Sequence, residues 1–329
     1  MTKQLILLTG ASGFIGRHVV KKLASHPDLQ LVCILREGER HPHAESLIRS
    51  GATIFSGNFY DTEIIKKAFQ RYQFQQVVHL AAIRGGGNAS LADFRKVNVK
   101  GTERLLHEAS GRRVQKFIFC SSVGVHGTIP EAVPAEIETV LCGDNQYHQS
   151  KIAAEDAVQT YIQNGLNAYI VRPTITYGAG DDGFPNTLVH LVRKRLLLLP
   201  KSNHQVHLVD VERVAEVFFR LVVGDHFPRR IFVAGDIQPI TLKDLADWIH
   251  CHRYGSAYPT YFRLPDWAFK LAFLLFQKVR NEKWAARVAL LSNDWHYRCA
   301  DTYRLLGIQP VPTREAFGRF LRDSLVASR

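Results

Sequence analysis

Along this chain the apolar positions fall into two alternating rhythms. QLILLTG at 4–10 is a short continuous apolar run halted by a glycine, and from Phe14 to Ala24 the apolar residues recur at helical spacing. LQLVCILR and GATIFSG read as second and third strands, and TEIIKKAFQRY as another helix. QVVHLAA is a strand, VNVKGTERLLHEASG a helix closed by Gly111, KFIFCSS a strand, SKIAAEDAVQTYIQNG a helix closed by Gly165, and NAYIVRP a strand. Strands that are apolar throughout are covered on both faces. Their alternation with helices predicts an α/β fold built on a doubly wound parallel Rossmann sheet. There is no internal repeat and no low-complexity linker.

After about residue 173 the rhythm changes. Turn residues gather in TYGAGDDGFPN, a helix-like NTLVHLVRKRLLLLP follows, and HLVDVERVAEVFFRLV with RRIFVAGD predicts a return to the sheet. Beyond Pro239 the pattern is mostly helical. The expected organisation is a dinucleotide-binding domain over 1–175 with a return segment at about 205–236. A smaller, mostly helical substrate lobe is expected from 176–204 and 237–329. In open parallel sheets ligands sit at the carboxyl ends of the strands, so that lobe is expected over that edge.

At the first strand–helix junction stands Thr9-Gly10-Ala11-Ser12-Gly13-Phe14-Ile15-Gly16, a GxxGxxG pattern. Gly10 permits a tight turn, Gly13 lets the backbone approach a pyrophosphate, and Gly16 permits close helix packing. The helix start offers free N–H groups to the phosphates. Gly10, Ser12, Gly13, Phe14, Ile15 and Gly16 are the expected contacts. The second strand ends Leu35-Arg36, where a carboxylate would hold the 2′-hydroxyl of NAD. A guanidinium suits a 2′-phosphate, so Arg36 favours NADP, while Glu37 keeps NAD open.

Tyr147-His148-Gln149-Ser150-Lys151 is a YxxxK pattern that puts phenol and ammonium on one helical face. A nearby ammonium favours the phenolate, which suits Tyr147 to acid/base work near neutral pH. Ser122, at the end of KFIFCSS, can hydrogen-bond the same substrate oxygen or merely cap a turn. Asn98, in VNVKGT, can hold a water beside Lys151 or merely cap a helix.

Taken together these residues resemble the extended short-chain dehydrogenase/reductase family, also called the NAD-dependent epimerase/dehydratase family. The likeness runs through TGASGFIG, HLAA at 79–82, VNVKGT, FCSSVGVHG, YHQSK and VRPTITYGAG, in the family's order, over about residues 1–180. HLVDVERVAEVF at 207–218 resembles a later family segment. The resemblance implies that Ser122, Tyr147, Lys151 and Asn98 carry the catalysis. It also implies that Leu80, Ala81, Ala82, Pro173 and Thr174 line the cofactor beside Tyr147 and Lys151. Asn58 stands where the family often has an aspartate near the adenine, with Phe59 placed to pack on the ring. His126 replaces a frequent tyrosine. The family's dehydratases resemble one another in a Thr-Asp-Glu stretch; here Ser122-Val123-Gly124 offers no carboxylate, which argues against elimination.

Composition adds limits. The net charge is +12, with 46% hydrophobic and 22% charged residues, as in ordinary globular proteins. The basic residues are dispersed, without a basic tract interleaved with aromatics, so nucleic acid is not an expected partner. Five scattered cysteines without CxxC pairs suggest reduced thiols in a cytoplasmic protein and no metal site. The start of the chain reads as a strand and not as a signal peptide, and no apolar run reaches the ~18 residues of a membrane span.

The expected activity is hydride transfer at an alcohol or ketone carbon, with NADP or NAD, on a nucleotide sugar or an apolar hydroxylated molecule. A nucleotide-sugar epimerase with tightly bound NAD and a non-catalytic dinucleotide-binding scaffold are the alternatives. Arg193, Lys194, Arg195, Lys201 and Arg213 are candidates for a diphosphate, though a solvated surface is the plainer reading. In 264–280 the run Trp267 to Phe276 is apolar almost all round. It reads as a buried helix or as a peripheral membrane contact flanked by Lys270, Lys278 and Arg280. Trp284, Trp295 and Tyr297 read as packing or as pocket lining. The resemblance also implies a homodimer.

Overall fold

The computed structural model describes residues 3–36, 44–85, 89–279 and 281–326, which leaves Glu37 and Arg280 outside the described residues. Six strands follow one another through the first half: β1 (Gln4–Thr9), β2 (Leu29–Leu35), β3 (Thr53–Ser56), β4 (Gln76–His79), β5 (Lys116–Cys120) and β6 (Ala168–Pro173). With a later strand, Ile231–Ala234, they form one parallel sheet. Its order runs from Ile231–Ala234 through β6, β5, β4, β1 and β2 to β3. The direction of winding reverses between β1 and β4, which opens a crevice at their carboxyl ends.

Except at the edge strand β3, the strands are buried on both faces, and their successive residues serve different cores. Ile6 and Leu8 of β1 pack with Val19, Val20, Leu23, Val214 and Phe218, under the helices Phe14–Ala24 and Val211–Val223. Leu7 points the other way, into a core with Ile65, Phe69, Leu105, Leu106, Phe117 and Val158. That core lies under the helices Thr62–Arg71, Gly101–Gly111 and Gln146–Gln163. Each such side chain contributes about 1.5–3 kcal/mol by leaving water. A buried ion pair joins the second layer to the sheet: Arg172 of β6 donates to Glu155 of the helix Gln146–Gln163 through Nε (3.0 Å) and a terminal nitrogen (2.7 Å). Arg172 also reaches His126 and the Ile137 carbonyl, both at 3.1 Å.

Three expectations need correction. The expected helix from Asn186 begins at Phe184 and ends at Arg193, and Leu199–Pro200 is a short strand; Arg195, at φ 57°, turns the chain out of the helix. Of the expected return segment, only Ile231–Ala234 joins the main sheet. Leu208–Asp210 pairs with Ile175–Tyr177 instead. The helix carrying Asn98 starts earlier, at Leu91, where Ser90 and Asp93 form a capping box. It runs through a wide π-helical stretch, Arg95–Lys100, into Gly101–Gly111, so Asn98 is interior to it and caps nothing.

Beyond residue 237 the helices Leu242–Tyr254, Asp266–Lys278, Glu282–Ser292, Ala300–Leu306 and Thr313–Val326 follow. Asp266–Lys278 is not the buried helix that its composition allows, since only Phe269 of its side chains is buried. Among the described residues no helix is long and apolar enough to cross a membrane.

Candidate active site

The glycine turn is built by close approach. Gly10 has φ 77°, and a Cβ on it would lie 2.5 Å from the Ala81 backbone nitrogen, so the chain leaving β4 packs directly on the turn. A Cβ on Gly16 would collide with the Gly10 carbonyl. Gly13 is the N-cap of the helix Phe14–Ala24 and supplies no capping side chain, so the first-turn N–H groups face outward without one. A groove of about 720 Å³ runs from this turn along the strand ends. Gly10, Ser12, Gly13, Phe14, Ile15, Gly16, Arg36, Phe59, Leu80, Ala81 and Ala82 line it, as do Tyr147, Lys151, Pro173, Thr174, Ser121 and Ser122. Asn58 lies between the lining residues Gly57 and Phe59 but is not part of the lining.

Two hydroxyls on the groove wall, Ser121 Oγ and Thr174 Oγ1, are buried without a hydrogen-bond partner among the described residues. Buried polar atoms are rarely left so. A polar ligand with a ring carboxamide would satisfy them, while the unpaired helix start suits a pyrophosphate. The groove therefore fits a dinucleotide by its own chemistry.

A second cavity of about 1370 Å³ lies outside the first, and Arg84, Ser122, Tyr147, Thr174, Ile175, Gly183 and Phe184 line both. Ser122 does two things there. Its Oγ accepts the Gly124 N–H at 3.0 Å, capping the short helix Val123–His126, and it lines both cavities beside Tyr147, whose phenol pKa it lowers in part. The capping and substrate-facing alternatives are thus compatible in one hydroxyl, because a hydroxyl accepts and donates at once.

Tyr147 enters one residue after the start of its helix, which Asn145 caps by accepting the His148 N–H at 2.9 Å. Burial pushes its phenol up to about 12, with Cys120 adding to the rise and Ser122 and Arg84 drawing it down in part. Lys151, expected from the spacing to lower it, is not among the groups that do. The Lys151 ammonium is one turn further on, but it donates to the Cys120 carbonyl at 2.8 Å and sits 4.9 Å from the centre of the Phe119 ring. Burial lowers the Lys151 pKa, opposed by Cys120 and Glu155.

The amide hydrogens of Asn98 go to the Ile83 carbonyl (3.0 Å) and to Ser150 Oγ (2.9 Å), and its oxygen accepts the Ile83 N–H (2.8 Å). Both donors are thus committed to protein, which leaves the second lone pair of the oxygen for a water. Ser150 in turn donates to the Tyr147 carbonyl at 2.7 Å, so Asn98 fixes the turn that carries the tyrosine. His79 of β4 is a further tie: it bridges Thr9 Oγ1 (2.6 Å) and Thr102 Oγ1 (2.9 Å), and burial lowers its pKa to about 3.

Sequence reasoning missed the pair Asp144–His148. His148 Nδ1 is hydrogen-bonded to Asp144 Oδ1, and its ring lies 5.7 Å from that of Tyr147 on the wall of the outer cavity. Hydrogen bonds from His148 and from the Thr128 backbone (2.8 Å) hold the Asp144 carboxyl at about 2, against the upward pull of burial. The signal was present in the sequence as an aspartate four residues before a histidine at a helix start. The cations lining the outer cavity are Arg84, Lys283 and Arg287; Arg193, Lys194, Arg195, Lys201 and Arg213 line neither cavity. Arg84 pairs with Asp182 at 3.0 Å, but both are well exposed and the pair adds little stability. Trp295 and Tyr297 are buried and also line the outer cavity, whereas Trp284 is 48% exposed.

A UDP-glucose 4-epimerase of Erwinia amylovora is 30% identical over 201 residues, which is 56% of this chain and 59% of that protein. One of Vibrio cholerae is 26% identical over 284 residues, 83% of this chain and 82% of that protein. The solved UDP-glucose 4-epimerase of Thermotoga maritima superposes with a TM-score of 0.74 at 19% identity, over 99% of this chain and 100% of that one. A putative epimerase of Burkholderia cenocepacia gives 0.75 at 20% over 98% of each. These two share the fold. The family model described as the NAD dependent epimerase/dehydratase family matches residues 6–235, and the chain belongs to that family, in the extended short-chain dehydrogenase/reductase class.

Proposed function

We propose that this protein transfers hydride at a hydroxyl-bearing carbon of a nucleotide sugar, using a dinucleotide held in the inner groove. The observation that carries the reading is the place of Ser122 and Tyr147. Both line the inner groove and the larger outer cavity, and so stand where the two meet. The turn Gly10–Gly16 with its helix start would hold the pyrophosphate, Phe59 and Asn58 the adenine side, and Ser121, Pro173 and Thr174 the nicotinamide side. Segments 176–204 and 237–329 would serve as the substrate lobe over the unit formed by 1–175 and the return segment at about 205–236. Arg36, exposed on the groove at the end of β2, favours the 2′-phosphate of NADP over NAD.

When bound, the nicotinamide supplies the acceptor or donor of hydride. The chain supplies the protons. A phenol with a pKa near 12 is protonated at neutral pH, so Tyr147 donates to a carbonyl oxygen as that oxygen gains charge, and Ser122 donates to the same atom. Lys151, disfavoured as a cation by burial, would replace the proton that Tyr147 loses. In the oxidative direction the proton moves the other way. His148, oriented by Asp144, adds a second acid/base group on the substrate side, and Lys283 with Arg287 offers charge to a diphosphate at the outer cavity.

A second reading is epimerisation, in which the hydride returns to the same carbon. The likeness to UDP-glucose 4-epimerases favours it. Mass spectrometry of the cofactor retained by the purified protein, followed by incubation with UDP-glucose and related nucleotide sugars, tests both. Net change in reduced cofactor marks an oxidoreductase. An isomerised sugar without such change marks an epimerase. Tyr147→Phe is expected to lower turnover by about 10²–10⁴-fold with cofactor binding intact; full turnover in that variant would overturn the reading.

A further inference from the structure

The helix Asp266–Lys278 is apolar on both sides, yet only one side is packed. Phe269 is buried, and Ala272, Phe273 and Phe276 are half-buried toward the protein. On the opposite side Trp267, Leu271, Leu274 and Leu275 stand at i, i+4, i+7 and i+8, between 50% and 65% exposed. Val279, after this helix, and Trp284, in the next helix, Glu282–Ser292, are exposed as well, and the two helices pack through a stacked Phe276–Trp284 pair. Single exposed leucines are ordinary on a protein surface, but four large apolar side chains on one helix side, with two more on the same hairpin, mark an interaction face.

We propose that this strip docks on an anionic membrane surface, lying in the plane of the headgroups. Thirteen residues of helix span only about 20 Å, too little to cross a bilayer. The charges beside the strip choose the occupant. Lys270, Lys278 and Lys283 are exposed along the hairpin. Of its two carboxylates, Asp266 is held by Ser202 through Oγ (2.6 Å) and the backbone N–H (3.2 Å), and Glu282 is exposed. A second copy of the same face would set lysine against lysine, whereas anionic headgroups would neutralise them while the tryptophans and leucines enter the acyl boundary. The whole chain, at +12, is attracted in the same sense. Docking would have a further consequence. Val279, Lys283, Arg287 and Leu290 of this hairpin line the outer cavity, so its mouth would face the lipid surface.

Sedimentation of the full chain with vesicles tests the proposal independently of any chemistry at the active site. The protein is expected to pellet with vesicles of equal phosphatidylglycerol and phosphatidylcholine, less so as salt rises, and to stay in solution with phosphatidylcholine alone. Trp267→Glu with Leu274→Glu should cut partition at least about tenfold, and Lys270→Gln with Lys278→Gln roughly thirtyfold. These side chains are exposed, so both variants should keep the wild-type melting temperature. No pelleting with anionic vesicles, equal pelleting with neutral ones, or unchanged partition in either variant would overturn the proposal. So would a dimer in sedimentation equilibrium that Trp267→Glu dissociates, since the strip would then be covered by a second copy.

Discussion

The imidazole of His148 occupies the space that a side chain on Gly124 would need: a Cβ there would fall on Nε2, well inside van der Waals contact. The glycine that removes a carboxylate from the Ser122-Val123-Gly124 stretch therefore admits a histidine to the same place. Among the described residues no hydrogen bond reaches Nε2, while Asp144 occupies Nδ1. Gly124→Ala should push the ring aside and lower turnover by about tenfold to a hundredfold without weakening cofactor binding. His148→Gln should do the same. Unchanged turnover in that variant would make His148 a packing residue.

Arg36 ends β2 on the groove, and its guanidinium meets no carboxylate among the described residues. Arg36→Ala is expected to weaken NADP binding by about tenfold and to leave NAD binding close to wild type, since only the 2′-phosphate calls for the lost charge. Isothermal titration with each dinucleotide measures this directly. Equal losses for both would show that Arg36 does not choose between them.

Arg172 and Glu155 are almost wholly buried, at 2% and 0% side-chain exposure, and share two hydrogen bonds. Removing one partner strands a buried charge, so Arg172→Met should cost roughly 3–5 kcal/mol in urea unfolding. Arg172→Met combined with Glu155→Leu should recover much of that, because the stranded charge is gone. If the double variant is as unstable as the sum of the singles, the pair is not a coupled unit.

Asp236 lies buried between the Tyr177 hydroxyl, 2.8 Å from Oδ2, and the Asp210 N–H, 3.0 Å from Oδ1. Burial, reinforced by Asp210, raises its carboxyl from 3.8 to about 7. A raised acid binds its proton more tightly folded than unfolded. Its stabilisation is therefore complete below the unfolded value of 3.8 and is lost as pH rises through about 7. Two buried histidines run the other way: burial lowers His79 to about 3 and His207 to about 4, which stabilises the fold as pH rises toward 6.5. The Asp236 effect is thus read as a difference. Wild type should lose melting temperature relative to Asp236→Asn between about pH 5 and pH 8. A difference that stays constant over that range would refute the shift.

The strands and helices of the first half were legible because each carries its own period. An apolar run such as QLILLT must be covered on both faces wherever it goes, and the β1–β6 succession follows from that. GxxGxxG was legible for a similar reason. Gly10 and Gly16 are demanded by contacts made within the same turn and with the chain leaving β4, and no side chain is compatible with them.

The second half was less legible because its strands are two to four residues long and owe their pairing to distant partners. Nothing local in HLVD says that it pairs with Ile175–Tyr177 and not with the main sheet. The site divides in the same way. By itself the sequence determined the fold class, the glycine cradle and the nearness of Tyr147 to Lys151, since these depend on residues a few positions apart. Tertiary structure alone decided that Lys151 rests on the Cys120 carbonyl, that the Asn98 amide is spent on Ile83 and Ser150, and that His148 stands over Gly124. The reason is physical: hydrogen bonds and desolvation are set by whatever the fold brings within about 3 Å, and spacing along the chain carries no record of those neighbours.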